Sequence, residues 1–292
     1  MFFETTNKSF LGINNKKKLK SKVVIVPFGL ENTVTYGRGT KKGPREIIKA
    51  SHQLELFDED LGYEISDKIS IETLKIKPIK KNTPQALADL EKITLNIIKE
   101  KKFPLIIGGE HTLTLGAISA LNKLTRPITI VQFDAHTDLR NSYQSKKYSH
   151  ACVMRRCLDL KHTNIISIGI RSTSKSEMSF IKKNNSRINI FFAKDKETWD
   201  LKKIAKLVKN QNVYITFDVD TFDPSLVPAT GTPEPGGLFW DETINLLKII
   251  TSSSNIVGCD INELAPIQNH NASNFIVAKL TYKLIGLIFN GK

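Results

Sequence analysis

Short apolar runs alternate along this chain with longer segments whose apolar residues recur every three or four positions. Residues 23–28, 105–107, 128–131, 164–169 and 214–217 are apolar nearly throughout. Such runs suit strands of a sheet covered on both faces. Helical spacing or helix-start signals predict helices at 44–54, 83–101, 113–123, 200–208, 241–250 and 272–289. Pro44 suits a first helical position, Thr83-Pro84 reads as a cap followed by a first-turn proline, and Asp200 reads as a cap. Residues 62–82 look irregular, with room for one short strand. The alternation predicts an α/β fold with a mostly parallel sheet and helices on both faces, and no composition break divides it. In such sheets ligands bind beyond the carboxyl ends of the strands.

Composition adjusts this picture only a little. A length of 292 residues and an apolar content of 40% can fill one large core. Residues 1–21 form a basic leader without the apolar stretch of a secretory signal, ahead of a single catalytic domain at 22–292. No window reads as a membrane span. Cys152, Cys157 and Cys259 have no CxxC spacing and read as reduced thiols of a cytoplasmic protein. The net charge of +14 invites a nucleic-acid reading, yet the lysines are dispersed and no nucleic-acid-binding motif is present. Neither a nucleic acid nor a membrane is expected as a partner.

The placement of acidic and imidazole groups changes the picture far more. Asp134, His136 and Asp138 follow an apolar run at alternate positions, which share a face in extended chain. Asp218 and Asp220 follow another run with the same alternation. His111 comes after Gly108-Gly109 at the end of a third, and Glu263 closes the segment 257–263. Carboxylates and imidazoles this dense repel or titrate unless a cation sits among them. The four aspartates balance two divalent ions, and oxygen donors with some imidazole suit Mn²⁺, with Fe²⁺, Co²⁺, Ni²⁺ and Zn²⁺ also within reach. Two such ions can acidify a shared water into a nucleophile for a trigonal carbon or phosphorus. Acidic residues at strand ends are also ordinary solvated turns, and a basic, non-enzymatic binding protein would bind nucleic acid salt-sensitively. The co-occurrence of both clusters with His111 favours a two-metal hydrolase.

Four motifs extend this reading. Gly108-Gly109-Glu110-His111, Asp134-Ala135-His136-Thr137-Asp138, Phe217-Asp218-Val219-Asp220 with Asp223-Pro224, and Gly231-Thr232-Pro233-Glu234-Pro235-Gly236-Gly237 stand in this order. Together they resemble the arginase/agmatinase (ureohydrolase) family, over about residues 23–287. The resemblance implies a three-layer α/β/α fold with a central parallel sheet of about eight strands. It also implies a homo-oligomer, trimer or hexamer, and hydrolysis of a guanidino group to urea and an amine. It assigns one metal to His111, Asp134, Asp138 and Asp218, and the other to Asp134, His136, Asp218 and Asp220. Glu263 matches the glutamate that holds the guanidinium, a pairing suited to a planar cation. His150, in Tyr148-Ser149-His150-Ala151, matches the histidine that passes a proton to the leaving amine. Asp138 joins these two among the catalytic groups, and Thr232 is a further candidate for substrate binding. His52, His162 and His270 match no motif.

Departures from the family pattern bear on the substrate. Arg140 stands where arginases carry asparagine, and Arg171 is followed by Ser172-Thr173-Ser174 rather than Asp-x-Asp. A carboxylate for an α-ammonium is thereby missing. The expected substrate is a small cationic guanidino compound, agmatine hydrolysed to putrescine and urea, with Glu263, Glu234 and Glu177 supplying the local field. Aminopropylagmatine, guanidinobutyrate and guanidine are its rivals, and arginine ranks below them. Asn141 and Ser142 replace acidic residues frequent in the microbial agmatinase-like group. A single-zinc deacetylase on the related fold has no use for the full set of six ligands.

Overall fold

The computed structural model describes residues 9–12, 21–125 and 127–290. Of the leader expected at 1–21, residues 1–8 and 13–20 lie outside the described residues. Phe10 and Leu11 within it are buried against the domain. Their amides donate to Thr73 Oγ1 at 2.9 Å and Ser51 Oγ at 2.8 Å.

The strands are β1 (Ser21–Phe28), β2 (Phe57–Asp58), β3 (Tyr63–Glu64), β4 (Ser70–Thr73), β5 (Phe103–Gly108), β6 (Ile128–Phe133), β7 (Thr163–Ile170), β8 (Ile188–Phe192), β9 (Asn212–Asp218) and β10 (Asn255–Asn262). The helices are α1 (Gly43–Ser51), α2 (Ile65–Lys68), α3 (Thr83–Lys99), α4 (Thr114–Leu124), α5 (Val153–Leu158), α6 (Lys175–Lys183), α7 (Leu201–Val208), α8 (Trp240–Ser253) and α9 (Ala272–Phe289). Eight strands form one sheet in the order β4-β1-β5-β10-β9-β6-β7-β8. Every pairing in it is parallel. The fold is therefore the expected three-layer α/β/α arrangement.

Alternation along the strands divides the core between the two faces. Val23 and Ile25 of β1 join one cluster with Leu105, Phe133, Phe217 and residues of α8 and α9. Val24 and Val26 join the other, with Ile106, Tyr214 and residues of α3 and α4. Both faces of the strands are covered, so the strands read as unbroken apolar runs. Helix α9 is long and apolar enough to cross a membrane, which the sequence did not suggest, but 72% of it is buried inside the fold. It is a core helix.

Two expected caps had different outcomes. Asp200 caps α7, accepting the Lys203 amide at 3.1 Å. For α3 the cap is Asn82, one residue earlier than expected, accepting the Gln85 amide at 3.0 Å. Thr83 and Pro84 occupy the first turn, because proline's missing N–H costs nothing there. Strand β8 and helix α6 had no counterpart among the predicted elements. β8 lies at the sheet edge, where polar and apolar residues mix and the pattern weakens.

The chain runs from β5 directly to β6, and β9 and β10 later fill the gap between them. The order of the strands reverses there, so loops diverge and leave a crevice beyond the carboxyl ends. His111 follows β5, Asp134 follows β6, Asp218 ends β9 and Glu263 follows β10. These four strands are adjacent at the middle of the sheet.

Candidate active site

The convergence expected from alternation arises differently in the structure. β6 ends at Phe133, so Asp134, His136 and Asp138 lie beyond the strand rather than along one of its faces. Asp138 has a φ of 52°, in the left-handed region, which turns its carboxylate back toward Asp134 and His111. Glu263 is also left-handed, at 63°. Non-glycine residues adopt this conformation at a cost, and the packing around them has to hold it.

Two groups of donor atoms result. His111 Nδ1 lies 3.1 Å from Asp134 Oδ2, 3.2 Å from Asp138 Oδ2 and 3.3 Å from Asp218 Oδ2. His136 Nδ1 lies 2.9 Å from Asp220 Oδ2 and 3.7 Å from Asp134 Oδ1. Asp134 belongs to both groups, and each could hold a metal ion.

The hydrogen bonds around these groups fit cations. Thr216 Oγ1 gives its proton to Asp260 Oδ1 at 2.7 Å, so it accepts from His111 Nε2 at 2.8 Å. Nδ1, buried and without a hydrogen-bond partner, is then the nitrogen a neutral His111 would turn toward an ion. Donors bound at about 2.1 Å to one octahedral ion stand about 3 Å apart, the spacing found here. Gln132 Nε2 donates to Asp134 Oδ2 at 2.7 Å, and Ser167 fixes that amide by donating to Gln132 Oε1 at 2.6 Å. The amides of Ala135 and Asp220 donate to Asp220 Oδ1 and Asp218 Oδ1, both at 2.9 Å. Such outer contacts orient ligands before an ion arrives.

Electrostatics point the same way. Burial opposes charge on His136, yet Asp220 and Asp134 push its pKa up to about 12. Burial, then the charge of Asp134, pushes Asp138 up to about 7. Burial, then Asp220 and Asp134, raises Asp218 well above the usual carboxylate range. In protein alone the cluster can only settle by taking up protons, and divalent ions would replace those protons. The cysteines take no part: all three are free and buried, and burial pushes the Cys152 thiol up to about 11.

A cavity of about 210 Å³ opens over the clusters. Glu263, His150 and Thr232 line it with His136, Asp138, Asp218 and Asp220, while His52, His162 and His270 do not. Glu263 Oε1 accepts the His111 amide at 2.7 Å. His150 Nδ1 lies 3.2 Å from Thr33 Oγ1, whose own proton goes to Glu110 Oε1 at 2.8 Å. The proton therefore sits on Nδ1 of His150, leaving Nε2 as its basic nitrogen.

Several contributors lie within the quoted stretches but were assigned no role there. Glu110 is buried and also accepts the Asn32 and Thr33 amides at 2.7 and 2.6 Å, which anchors the loop touching His150. Its place inside Gly-Gly-Glu-His was the available signal. Arg171 donates to the carbonyls of Asp220, Phe222 and Glu234 at 2.6, 3.2 and 2.8 Å, tying the segment after β9 to the Glu234 loop. The Pro/Gly loop after β9 is clasped by Asp223, whose Oδ2 accepts the Gly236 and Gly237 amides at 2.8 and 3.1 Å.

A family model described as the arginase family matches residues 21–286. An N(1)-aminopropylagmatine ureohydrolase of Synechocystis sp. is 38% identical over 275 residues, covering 90% of this chain and 88% of that one. The chain belongs to the arginase family. An agmatinase of Bacillus cereus is 32% identical over 261 residues, 89% of each chain. The crystal structure of the agmatine ureohydrolase of Thermoplasma volcanium superposes with a TM-score of 0.81 at 31% identity, covering 92% of this chain and 90% of that one. As an arginase-family ureohydrolase the protein is a hydrolase, which sets aside the basic binding-protein alternative.

Proposed function

We propose that this protein hydrolyses the guanidino group of agmatine, or of an agmatine carrying a longer amine arm, to urea and the corresponding amine. The observation that carries the reading is the pair of donor groups sharing Asp134 beneath a cavity lined by Glu263 and His150. Agmatinases and aminopropylagmatine ureohydrolases among the relatives support this substrate class.

In this reading His111, Asp134, Asp138 and Asp218 hold one ion, and Asp134, His136, Asp218 and Asp220 hold the other. Mn²⁺ suits the mix of carboxylate and imidazole. When bound, the pair supplies a water acidified enough to act as a nucleophile near neutral pH. Glu263 takes the guanidinium through charge-assisted hydrogen bonds, which fixes the plane of its carbon. Thr232, exposed at the rim, offers a hydroxyl to the bound substrate. His150 carries a proton on Nε2 to the departing nitrogen, which leaves as a neutral amine rather than an unstable anion. Thr33 keeps the imidazole in the tautomer that can do so.

The chain acts as a homo-oligomer in this proposal, checked by light scattering on the eluted protein. Activity is tested by urea release from the Mn²⁺-loaded enzyme with agmatine, aminopropylagmatine, arginine, guanidinobutyrate and guanidine side by side. Preference for the first two supports the reading. No urea from any of them overturns it.

A further inference from the structure

The floor of the cavity binds the guanidinium in the reading above, on which this inference rests; the outer wall has to recognise whatever lies at the other end. Glu177 lines that wall and is buried, so it is the obvious partner for a distant ammonium. Its oxygens are already taken. Oε1 accepts Thr137 Oγ1 at 2.8 Å and the Leu139 amide at 3.0 Å. Oε2 accepts Ser174 Oγ at 2.6 Å and the Ser174 amide at 3.0 Å, with Arg140 Nε 3.8 Å away. Four donors saturate a carboxylate. Glu177 organises the wall and has no lone pair left for a ligand.

The wall also holds two aromatic rings. Tyr143 is engaged, because the Arg140 guanidinium lies 5.0 Å from its centroid and His150 meets it edge-on at 5.9 Å. Tyr36 is open. It is 82% exposed, more than the other large apolar side chains at the surface of the described residues. The loop beneath it is nonetheless held firmly. Thr33 is tied to Glu110, and the amides of Gly39 and Lys41 donate to Glu31 Oε2 at 2.8 and 3.1 Å. The Gly37 amide donates to Gly231 O at 3.1 Å, and a Cβ on Gly37 would stand 2.8 Å from that oxygen. A fixed loop thus presents an uncovered ring at the mouth of a cavity built for a cation. An aromatic face attracts ammonium, and the attraction strengthens once water is displaced.

We propose that Tyr36 is a specificity-determining residue whose ring receives the far ammonium of a guanidino-amine extended beyond agmatine. Recognition by a π face instead of a carboxylate lets a wall whose Glu177 is saturated and flanked by Arg140 take a polyamine end.

The test compares wild type, Tyr36→Phe and Tyr36→Ala, each loaded with Mn²⁺, on aminopropylagmatine, agmatine and butylguanidine, whose tail carries no charge. Tyr36→Ala should raise KM for aminopropylagmatine by about 3- to 30-fold, the range of a cation–π contact, with kcat and melting temperature unchanged. Tyr36→Phe should keep most of the affinity, and KM for butylguanidine should not move. An equal rise in KM for butylguanidine or agmatine, or a Phe variant as weak as the Ala variant, overturns the inference. Failure of the underlying reading looks different: wild type would release no urea from any of the three compounds.

Discussion

Among the described residues, two clusters of charge around buried side chains differ in where their counter-charge comes from. At the first, the fully buried Lys283 ammonium reaches Asp58 Oδ1 at 3.1 Å, Glu59 Oε1 at 3.0 Å and Asp60 Oδ2 at 2.7 Å. Lys248 adds a second cation, 2.8 Å from Asp60 Oδ1. Burial opposes the charge on Lys283, but the hydrogen bonds it donates to Asp60, Glu59 and Asp58 outweigh it and raise its pKa. The chain closes this cluster with its own residues, and the result pins the β2–β3 hairpin to α9. At the second cluster Asp134, Asp138, Asp218 and Asp220 face the imidazoles of His111 and His136. These weak bases hold charge only by taking up protons. Burial alone does not separate structure from function here; the difference is whether the chain supplies the cation.

The sharpest way to break this comparison is to remove one charged group from each cluster. Asp134→Ala should abolish turnover and lower the metal content measured by elemental analysis. The loss should exceed the roughly 10- to 100-fold typical of replacing an outer-shell partner. A variant that kept two ions and its activity would end the claim that the second cluster is open. His150→Asn should leave both ions in place and slow turnover by about 10²- to 10⁴-fold, the range of general acid–base catalysis. Unchanged turnover would remove His150 from the mechanism.

Smaller effects separate the clusters by stability. Lys283→Met leaves Asp58 buried without its cation and should cost about 3 kcal/mol in urea denaturation, the lower end for a broken buried pair because Glu59 and Asp60 remain partly in water. Its kcat should match wild type. Stripping divalent ions should destabilise the native protein by about 2.7 kcal/mol for each ion site, relative to an ion concentration of 100 Kd, reversibly on adding Mn²⁺. Melting that ignores chelator would argue against ion binding. The least effect is on acid stability. Glu59 is lowered from 4.5, by its own backbone hydrogen bond and then Lys283, and Asp60 is lowered from 3.8, by Lys248 and then Lys283. Carboxylates with lowered pKa stabilise above their ordinary values, and that contribution disappears as pH falls through them. Melting temperature should therefore fall more steeply below about pH 4.5 in wild type than in Lys283→Met, where the shared cation is gone.

Much of the site could be read directly because its residues follow apolar runs. His111, Asp134, Asp218 and Glu263 each come just after or at the end of a strand whose pattern is plain, and in a parallel sheet all such ends share one edge. Asp138 was found for an incomplete reason, since a left-handed turn, not strand alternation, brings it to His111. Thr33, Glu110 and Thr216 act through other residues and sit in no arrangement with a period. Arg171 serves five backbone carbonyls, and its partners lie up to 63 residues away. β8 was obscured because an edge strand keeps only part of its surface apolar.

What the sequence determined by itself was the layering and the ligand types. Apolar periodicity reflects burial, which acts locally along each element, and carboxylates beside imidazoles announce their need for a cation at any distance. The tertiary structure decided how those groups are poised. The order of strands places β9 and β10 between β5 and β6, and so sets His111 against Asp134 and Asp218. The choice of tautomer at His111, the saturation of Glu177 and the exposure of Tyr36 likewise depend on atoms that meet only after folding. Hydrogen bonds and ion coordination are short-ranged and directional, so the sequence can name their donors while only the packed chain aims them.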